Sequence, residues 1–464
     1  MVGRNKDKTC NSGRVYTEEE AVAEAKRCLQ CAVPLCEQGC PAHRPIKEVN
    51  RLIAERKFDS ALALVRGVNP FPSITSRICA QERQCEGACV LAGAGKAIRI
   101  GKLEEFLAEY ERKKITEKIK KSKSAGGKKT NKNKTAAAVG SAAAGGKKTN
   151  KTAAVVGSVA VVGSGVAGLA CAYELALRGF GVTVFEQRGK FGGIAGQMIP
   201  DFRLAGIVVE REVQNLREMG VMFEAGRKIT SVKALLGRFG FVFLGIGAGE
   251  DMCLGAKGEG TEGVIGALAF LQGEKWGGLK LKKGETVLII GGGNSAMDAA
   301  RVAARAGAEA VVAYRRTEKE MPSRALELEH AKKEGVKFEF LLSPGEFLGG
   351  GKEKNKLTAV LFERMRLGKP DSSGRSKPEP TGETKKISAS WAVIACGQAS
   401  AVQQMNDAGI ELDEKGNIKV DEKFRTSVAR VYAAGDAVTG PRTAIEAIRD
   451  GRAAARAIAE EAGT

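Results

Sequence analysis

Seven cysteines crowd into residues 28–89 of this 464-residue chain: Cys28, Cys31, Cys36, Cys40, Cys79, Cys85 and Cys89. The first four read Cys-x2-Cys-x4-Cys-x3-Cys-Pro. Closely spaced thiolates ending in Cys-Pro, with the last one crossing over to a second cluster, are how two-cubane iron–sulfur proteins are built. Zinc takes four ligands, usually from two separated pairs, and fits this spacing less well. Seven thiolates are one short of two four-thiolate sets, so an eighth ligand must be found. The total of 11 cysteines is odd and strongly clustered, and the polar start MVGRNKDK shows no secretory leader. Metal or redox ligands in a reducing cytoplasm are therefore expected, rather than disulfides.

Two further segments are built to hold phosphates. Gly163-Ser-Gly165-Val-Ala-Gly168 follows the apolar run Val159–Val162 and opens the helical pattern LACAYELALRG. The first glycine permits the tight turn, the second lets a pyrophosphate approach the backbone, and the third allows helix and strand to pack closely. Glu186 ends the next apolar run, where a carboxylate accepts hydrogen bonds from a ribose. A second copy, GGGNSAMDAARVAARAG, places Gly291, Gly293, Asn294 and Ala296 in the same turn. Its following strand ends in Arg315 and Arg316 rather than an acid, which suits a 2′-phosphate. Near the C-terminus, VYAAGDAVTGP sets Gly435 and Asp436 after a short apolar run, ahead of another helical pattern. Two dinucleotide folds with such a returning strand suggest that a nicotinamide domain is inserted in an FAD domain. Flavin disulfide reductases share that arrangement and use a cysteine pair beside the flavin. No such pair follows Gly192-Gly193 or lies in the second copy, so electrons must leave the flavin elsewhere. Cys171, Cys253 and Cys396 stand alone among small or apolar residues and read as packing residues.

The elements that must position these groups are legible in the hydrophobic pattern. Residues 1–111 read as short helices: a capping box at Thr17 and Glu20 delivers Cys28 and Cys31, Asn69-Pro70-Phe71-Pro72 stops a helix, and another runs from Leu103 to about Lys113. From residue 153, apolar β runs alternate with helical patterns (VAVVG, VTVFE, FVFLGIG, VLIIGG, AVVAYRR, WAVIACG, VYAAGD), which implies α/β domains with doubly wound parallel sheets. The expected division is a helical 4Fe-4S domain over 1–111, a low-complexity basic linker over 112–152 and the FAD domain over 153–273. The NADPH-binding domain follows over 274–389, and the FAD domain resumes over 390–464.

The net charge of +20 sits mostly in one place. Residues 112–151 hold 14 Lys or Arg and one acid, leaving 60 bases against 53 acids in the rest. The segment repeats itself, as GGKKTNKNKTAAAVGS and then GGKKTNKTAAVVGS, and has too few large apolar groups to order itself. It reads as a solvated linker, with an electrostatic tether for an acidic partner or nucleic acid as the alternative. Nucleic-acid binding by the body of the protein is not expected. The uncharged stretch Thr152–Tyr173 is long enough to span a bilayer, but four glycines and two serines interrupt it and the dinucleotide motif accounts for them, so no membrane association is expected. Only two histidines, His43 and His330, are present, which excludes chemistry needing a three-His metal site.

Over nearly its whole length the chain resembles the small (beta) subunit of NADPH-dependent glutamate synthase. Close relatives of that family are the large subunit of NADH-dependent ferredoxin:NADP oxidoreductase, sulfide dehydrogenase and the N-terminal half of dihydropyrimidine dehydrogenase. The resemblance rests on RCLQCAVPLCEQGCP, NPFPSITSRICAQERQCEGAC, GSGVAGLACA, IPDFRL, GGGNSAMDAAR, YRRTEKEMPSRALELEHAKKEGV and YAAGDAVTGP. It implies that Cys28, Cys31, Cys36 and Cys89 hold one 4Fe-4S cluster and that Cys40, Cys79 and Cys85 hold another. Glu104, which follows Leu103, is then the eighth ligand, with Glu105 as the fallback. It also implies FAD on Gly163, Gly165, Gly168, Glu186, Gly193, Gly435 and Asp436, and NADPH on the second copy. The chain departs from the family pattern at Val166, at Ala195–Pro200, over Phe239–Gly260 and in the long basic segment.

The expected activity is a cytoplasmic oxidoreductase that passes electrons from NADPH through FAD to two 4Fe-4S clusters. The cofactors supply the chemistry, so no general acid or base is expected. The acceptor lies outside this chain, as a glutamate synthase large-subunit-like protein or a ferredoxin-type partner. Ferredoxin:NADP or sulfide oxidoreductase activity is the alternative, and a basic scaffold with vestigial redox folds is the alternative from another class. Deleting residues 118–150 should leave cofactor content and NADPH oxidation by a small dye nearly unchanged. An unfolded deletion variant, by circular dichroism, would make the segment structural.

Overall fold

The computed structural model describes residues 14–124, 157–350, 355–371, 374–400, 402 and 407–464. It contains two compact units. The first takes the described part of Met1–Gln197 with Asp201–Ala248 and Ser400–Thr464; the second takes Met198–Pro200 and Gly249–Ala399.

The first unit opens with helices α1 (Glu18–Lys26), α2 (Leu35–Gln38), α3 (Ile46–Ala54), α4 (Phe58–Val68), α5 (Pro72–Ile78) and α6 (Ile100–Ser124). The capping box at Thr17 and Glu20 is formed, with both reciprocal bonds in place. The apolar stripes of α3, α4 and α6 meet in one core, where Ile53, Ala61 and Leu107 are fully buried and Phe58 packs edge-on to Phe106. Burying each of the larger aliphatic chains contributes about 1.5–3 kcal/mol. This core includes Ile445 from the C-terminal helix Ala444–Glu461, so the helical head shares a unit with the flavin-side fold. Helix α6 runs past the expected stop near Lys113, because no glycine or proline interrupts the chain until Gly126. The first part of the expected linker is thus helical, and the rest of it, with its repeat, lies outside the described residues.

The chain then contributes β1 (Ser158–Val162), β2 (Gly181–Phe185), β3 (Met222–Glu224) and β4 (Phe241–Leu244) to the first unit. The second unit holds β5 (Glu250–Asp251), β6 (Val264–Gly266), β7 (Thr286–Ile290), β8 (Glu309–Tyr314), β9 (Lys337–Phe340), β10 (Leu342–Gly349), β11 (Leu357–Pro370), β12 (Ser376–Ser388), β13 (Trp391–Ile394) and β14 (Gln398–Ala399). Strand β15 (Val431–Ala433) returns to the first. The first sheet has the order β15-β4-β1-β2-β3 and the second β6-β13-β7-β8-β9, and every pairing in both is parallel. All seven expected β runs are strands of these sheets. Strand order reverses at β1 and at β7, and ligands of doubly wound folds bind in the crevice at that reversal.

Two domain limits differ from expectation. The second unit runs from Gly249 to Ala399, not from 274 to 389, since β6 and β13 pair with β7 and so belong to its sheet. It also carries an antiparallel sheet, β10-β11-β12, that periodicity did not reveal: β12 (SKPEPTGETKKIS) is polar on both faces. Among the described residues no helix is long and apolar enough to cross a membrane.

One buried ion pair ties the first unit together. Arg452 on the C-terminal helix donates to Glu174, on the helix Val166–Leu177 that leaves the first dinucleotide turn, at 2.8 Å, and to the Gly67 carbonyl of α4 at 2.7 Å. Burial opposes the Glu174 charge, but Arg452 and Arg456 outweigh it and hold its pKa below the usual carboxylate value. Removing one partner of such a pair costs about 3–5 kcal/mol. Arg452→Met should therefore lower stability by about that much in denaturant unfolding at pH 7. Because Glu174's pKa is depressed, the stabilisation is present above its unfolded pKa and is lost as pH falls through the folded one. The gap between variant and parent should close over that range.

Candidate functional site: two dinucleotide turns and a thiol-rich head

In the first dinucleotide turn, Gly163 has φ +98° and its N–H donates to Phe185 O at 2.8 Å. A Cβ at Gly163 would lie 2.4 Å from Gly245 O, and one at Gly168 would lie 2.0 Å from Gly163 O. The protein itself therefore demands the first and third glycines. A Cβ at Gly165 would meet nothing nearer than 3.9 Å, so the space over the second glycine is kept for a ligand. The fit to a dinucleotide pyrophosphate is good.

The other flavin-side residues converge on this turn. Ser164, which is not among the expected site residues, donates through Oγ to Glu186 Oε2 at 2.5 Å and accepts from Gly192 N–H at 3.0 Å. Glu186 also accepts from Arg188 N–H at 3.0 Å, which fixes the carboxylate at the end of β2. A Cβ at Gly193 would lie 2.7 Å from the Gly165 Cα, and one at Gly435 would lie 2.9 Å from the Ala167 Cβ. Asp436 follows Gly435, and burial pushes its carboxyl up to about 6.

The second turn repeats the logic. A Cβ at Gly291 would sit 2.4 Å from Ala395 O, Ala296 is fully buried, and a Cβ at Gly293 would meet nothing within 4 Å. Asn294 Oδ1 accepts from Arg324 N–H at 3.0 Å, which holds the Met321–Arg324 loop against the turn. The paired arginines part company. Arg315 is exposed at the end of β8. Arg316 is buried and donates to Asp371 at 2.6 Å and to Ser376 O at 2.7 Å, both beside the antiparallel sheet. The hairpin that holds Arg316 carries a polar strand invisible to periodicity.

Of the three isolated cysteines, only Cys171 is a packing residue; Cys253 and Cys396 are exposed. Cys396 bends away from the end of β13, and its Sγ lies 3.4 Å from Ile290 O, directly before Gly291.

In the head, the seven cysteines form two groups. Cys28, Cys31, Cys36 and Cys89 line one cavity together with Leu29, Leu35, Val90 and Leu91. Gln30, with φ +52°, makes the sharp turn between the first two. Cys40, Cys79 and Cys85 are buried. A Cβ at Gly39 would lie 2.5 Å from the Ala88 Cβ and 2.8 Å from Gln84 O, so this glycine lets Cys40 close on the Cys85–Cys89 segment. Burial pushes the Cys79 thiol well up and the Cys85 thiol to about 12; Glu104 raises both further, while Arg44 opposes. Glu104 is buried on α6, and its Oε1 meets Arg44 Nη1 at 2.5 Å, Asn69 Nδ2 at 2.8 Å and Thr75 Oγ1 at 3.0 Å. Glu105 instead pairs with Arg77 at 3.3 Å and Lys102 at 3.0 Å. Among the described residues no three Cys, His, Asp or Glu converge as ligands of a single ion. Four thiols around one cavity fit a larger cubane, whose irons and sulfides fill the space between them.

Residues 157–451 match the pyridine nucleotide-disulphide oxidoreductase family, and residues 5–116 match the dihydropyrimidine dehydrogenase domain II family with its 4Fe-4S cluster. The fold is shared with FprA of Mycobacterium tuberculosis, solved in complex with NADPH: TM-score 0.57, 19% identity, over 66% of this chain and 85% of that one. Fold and site together define a flavin- and pyridine-nucleotide-dependent oxidoreductase carrying an iron–sulfur head. The glutamate synthase (NADPH) small chain of Halomonas elongata is 34% identical over 96% of this chain and 91% of its own, and that of Escherichia coli K12 is 33% identical over 96% and 92%. The chain belongs to the family of small chains of NADPH-dependent glutamate synthase, flavo-iron–sulfur oxidoreductases that work with NADPH, FAD and 4Fe-4S iron.

The separation of the two arginines is directly testable. Arg315→Ala should raise the KM for NADPH about tenfold or more, the worth of one charged hydrogen bond (roughly 1.5–3 kcal/mol), and leave that for NADH nearly unchanged. Arg316→Ala should lower Tm and affect both nucleotides alike. NADPH selectivity lost only through Arg316 would reverse the assignment.

Proposed function

We propose that this chain conducts electrons from NADPH through FAD to an inner cluster on Cys40, Cys79, Cys85 and Glu104. From there they pass to an outer cluster on Cys28, Cys31, Cys36 and Cys89, and on to a partner protein. When bound, the cofactors supply the conversion of a two-electron hydride donor into single electrons. The chain's own residues bind, order and insulate them.

The observation that carries this order is the difference in depth between the two thiol groups. The inner group adjoins the flavin-side fold: Arg449 of the C-terminal helix donates to the carbonyl of Pro41, next to Cys40, at 3.0 Å. That same helix packs on the helix leaving the flavin turn, where a Cβ at Gly451 would lie 2.2 Å from Ala167 O. The outer group is partly exposed and is flanked by Leu29, Val33, Leu35 and Val90, which are 60%, 61%, 44% and 54% exposed. Exposed apolar side chains gathered around a redox site suit a docking surface. The partner is a glutamate synthase large-subunit-like protein or a ferredoxin-type acceptor, and the compartment is the cytoplasm.

Glu104 rather than Glu105 is the eighth ligand in this reading. Its three donors all hold Oε1, so Oε2 would be the oxygen available to a bound cluster, whereas Glu105 is taken up by Arg77 and Lys102.

Anaerobically purified protein should contain about eight irons and one FAD per chain. Cys79→Ser should remove one cluster, still show flavin bleaching by NADPH, and lose transfer to a protein acceptor. Turnover with that acceptor persisting in the absence of the inner cluster would refute the route, and zinc in place of iron would refute the head assignment.

A further inference from the structure

Arg44 is a buried cation in a place where a simple ion pair does not account for it. It is 6% exposed and meets Glu104 Oε1 at 2.5 Å. Its side chain also lies within electrostatic reach of Cys40 and Cys85. Its Nε is buried and has no hydrogen-bond partner among the described residues. A buried donor left without an acceptor costs about 1–3 kcal/mol, so such groups call for an explanation. The acceptors that the inner thiol group brings on binding iron, thiolate sulfur and sulfide, are of the kind this N–H lacks.

We propose that Arg44 is a positioning residue that sets the reduction potential of the inner cluster, through a fixed positive charge and an Nε hydrogen bond to its sulfur. The proposal rests on the two-cluster reading above. Hydrogen bonds to sulfur, net charge and solvent exposure are the levers that set such potentials. Three thiolates with one carboxylate carry the same formal charge as four thiolates, so ligand charge alone does not distinguish the two groups. Arg44 does, because it adds one positive charge out of reach of solvent screening. Of the cations near the outer group, Lys47 lines its cavity but is only half-buried, and Arg27 is 41% exposed and already paired with Glu24. A guanidinium stays protonated at any working pH. Reduction therefore adds one electron from the reduced flavin to the cluster, with no bond made or broken and no proton moved. The added negative charge is stabilised by Arg44, so the site beside the flavin is the more ready to accept it.

The test uses the holoprotein and EPR-monitored redox titration, with iron and FAD measured on every sample. Arg44→Met should cut the reduced-to-oxidised ratio of the inner cluster at a fixed potential by about tenfold, which is 59 mV for a one-electron couple. The outer cluster should not move. Arg44→Lys should restore most of the shift, and Thr75→Val, which removes a donor to Glu104 but no charge, should move the potential much less. An Arg44→Met protein that keeps the inner cluster at the parental potential overturns the proposal, as does an equal shift of both clusters. If Arg44→Met loses the inner iron, Arg44→Lys decides. An inner cluster retained near the parental potential supports a role for charge, and iron lost again makes Arg44 a structural fork only. A wild-type protein with one cluster signal, abolished by Cys28→Ser and untouched by Cys79→Ser, overturns the two-cluster reading and this proposal with it.

Discussion

The first unit depends on how closely its last helix approaches the helix that leaves the flavin turn. Gly451 leaves no room for a side chain against Ala167, and one turn of helix carries Arg449, Asp450 and Arg452 into the seam thus formed. Arg452 meets Glu174 and the Gly67 carbonyl, Arg449 reaches Pro41, and Ile445 enters the core of the head. One helix therefore contributes to the FAD-side fold and to the iron–sulfur head at once. The buried charges in the seam, Glu174, Asp450 and Arg452, are tolerable only because each is paired, so geometry there is over-determined rather than adjustable.

That seam gives the two thiol groups different surroundings. The inner group lies in a region where burial resists thiolate formation, and the polar residues that reach it, Arg44, Asn69, Thr75 and Glu104, are joined in one buried network. In the proposed inner cluster, iron would supply the positive charge that this buried place otherwise withholds from thiolates. The outer group is lined by apolar residues and stays partly open. The two-cluster path proposed above would draw on these unlike surroundings, since both potential and access depend on them.

In the second unit, buried charges are paired within the fold, while Arg315 stays exposed. Arg301, within the fingerprint segment, is fully buried against Glu327 and Glu334, at 2.5 and 2.8 Å, and Arg316 is committed to Asp371. Arg315 is the member of the pair left at the open end of the sheet. Arginines adjacent in sequence thus do different work because one belongs to the strand end and its neighbour to the hairpin beside it.

The sequence by itself determined the parts whose physics is local. A glycine turn between strand and helix needs its residues at set spacings, a capping box needs Thr and Glu three apart, and a cubane needs thiolates close along the chain. Those signals placed both dinucleotide turns, every strand of the expected series and the cysteine head. In the structure four of the head cysteines line one cavity and the other three are buried. Only the tertiary structure decided which of two adjacent arginines remained exposed, which of two adjacent glutamates turned towards the buried thiols, and that Cys253 and Cys396 are open to solvent. It also moved the limits of the inserted unit and showed the polar antiparallel sheet. Each of these depends on partners tens to hundreds of residues away, whose effect on burial and pairing leaves no periodic trace in the local sequence.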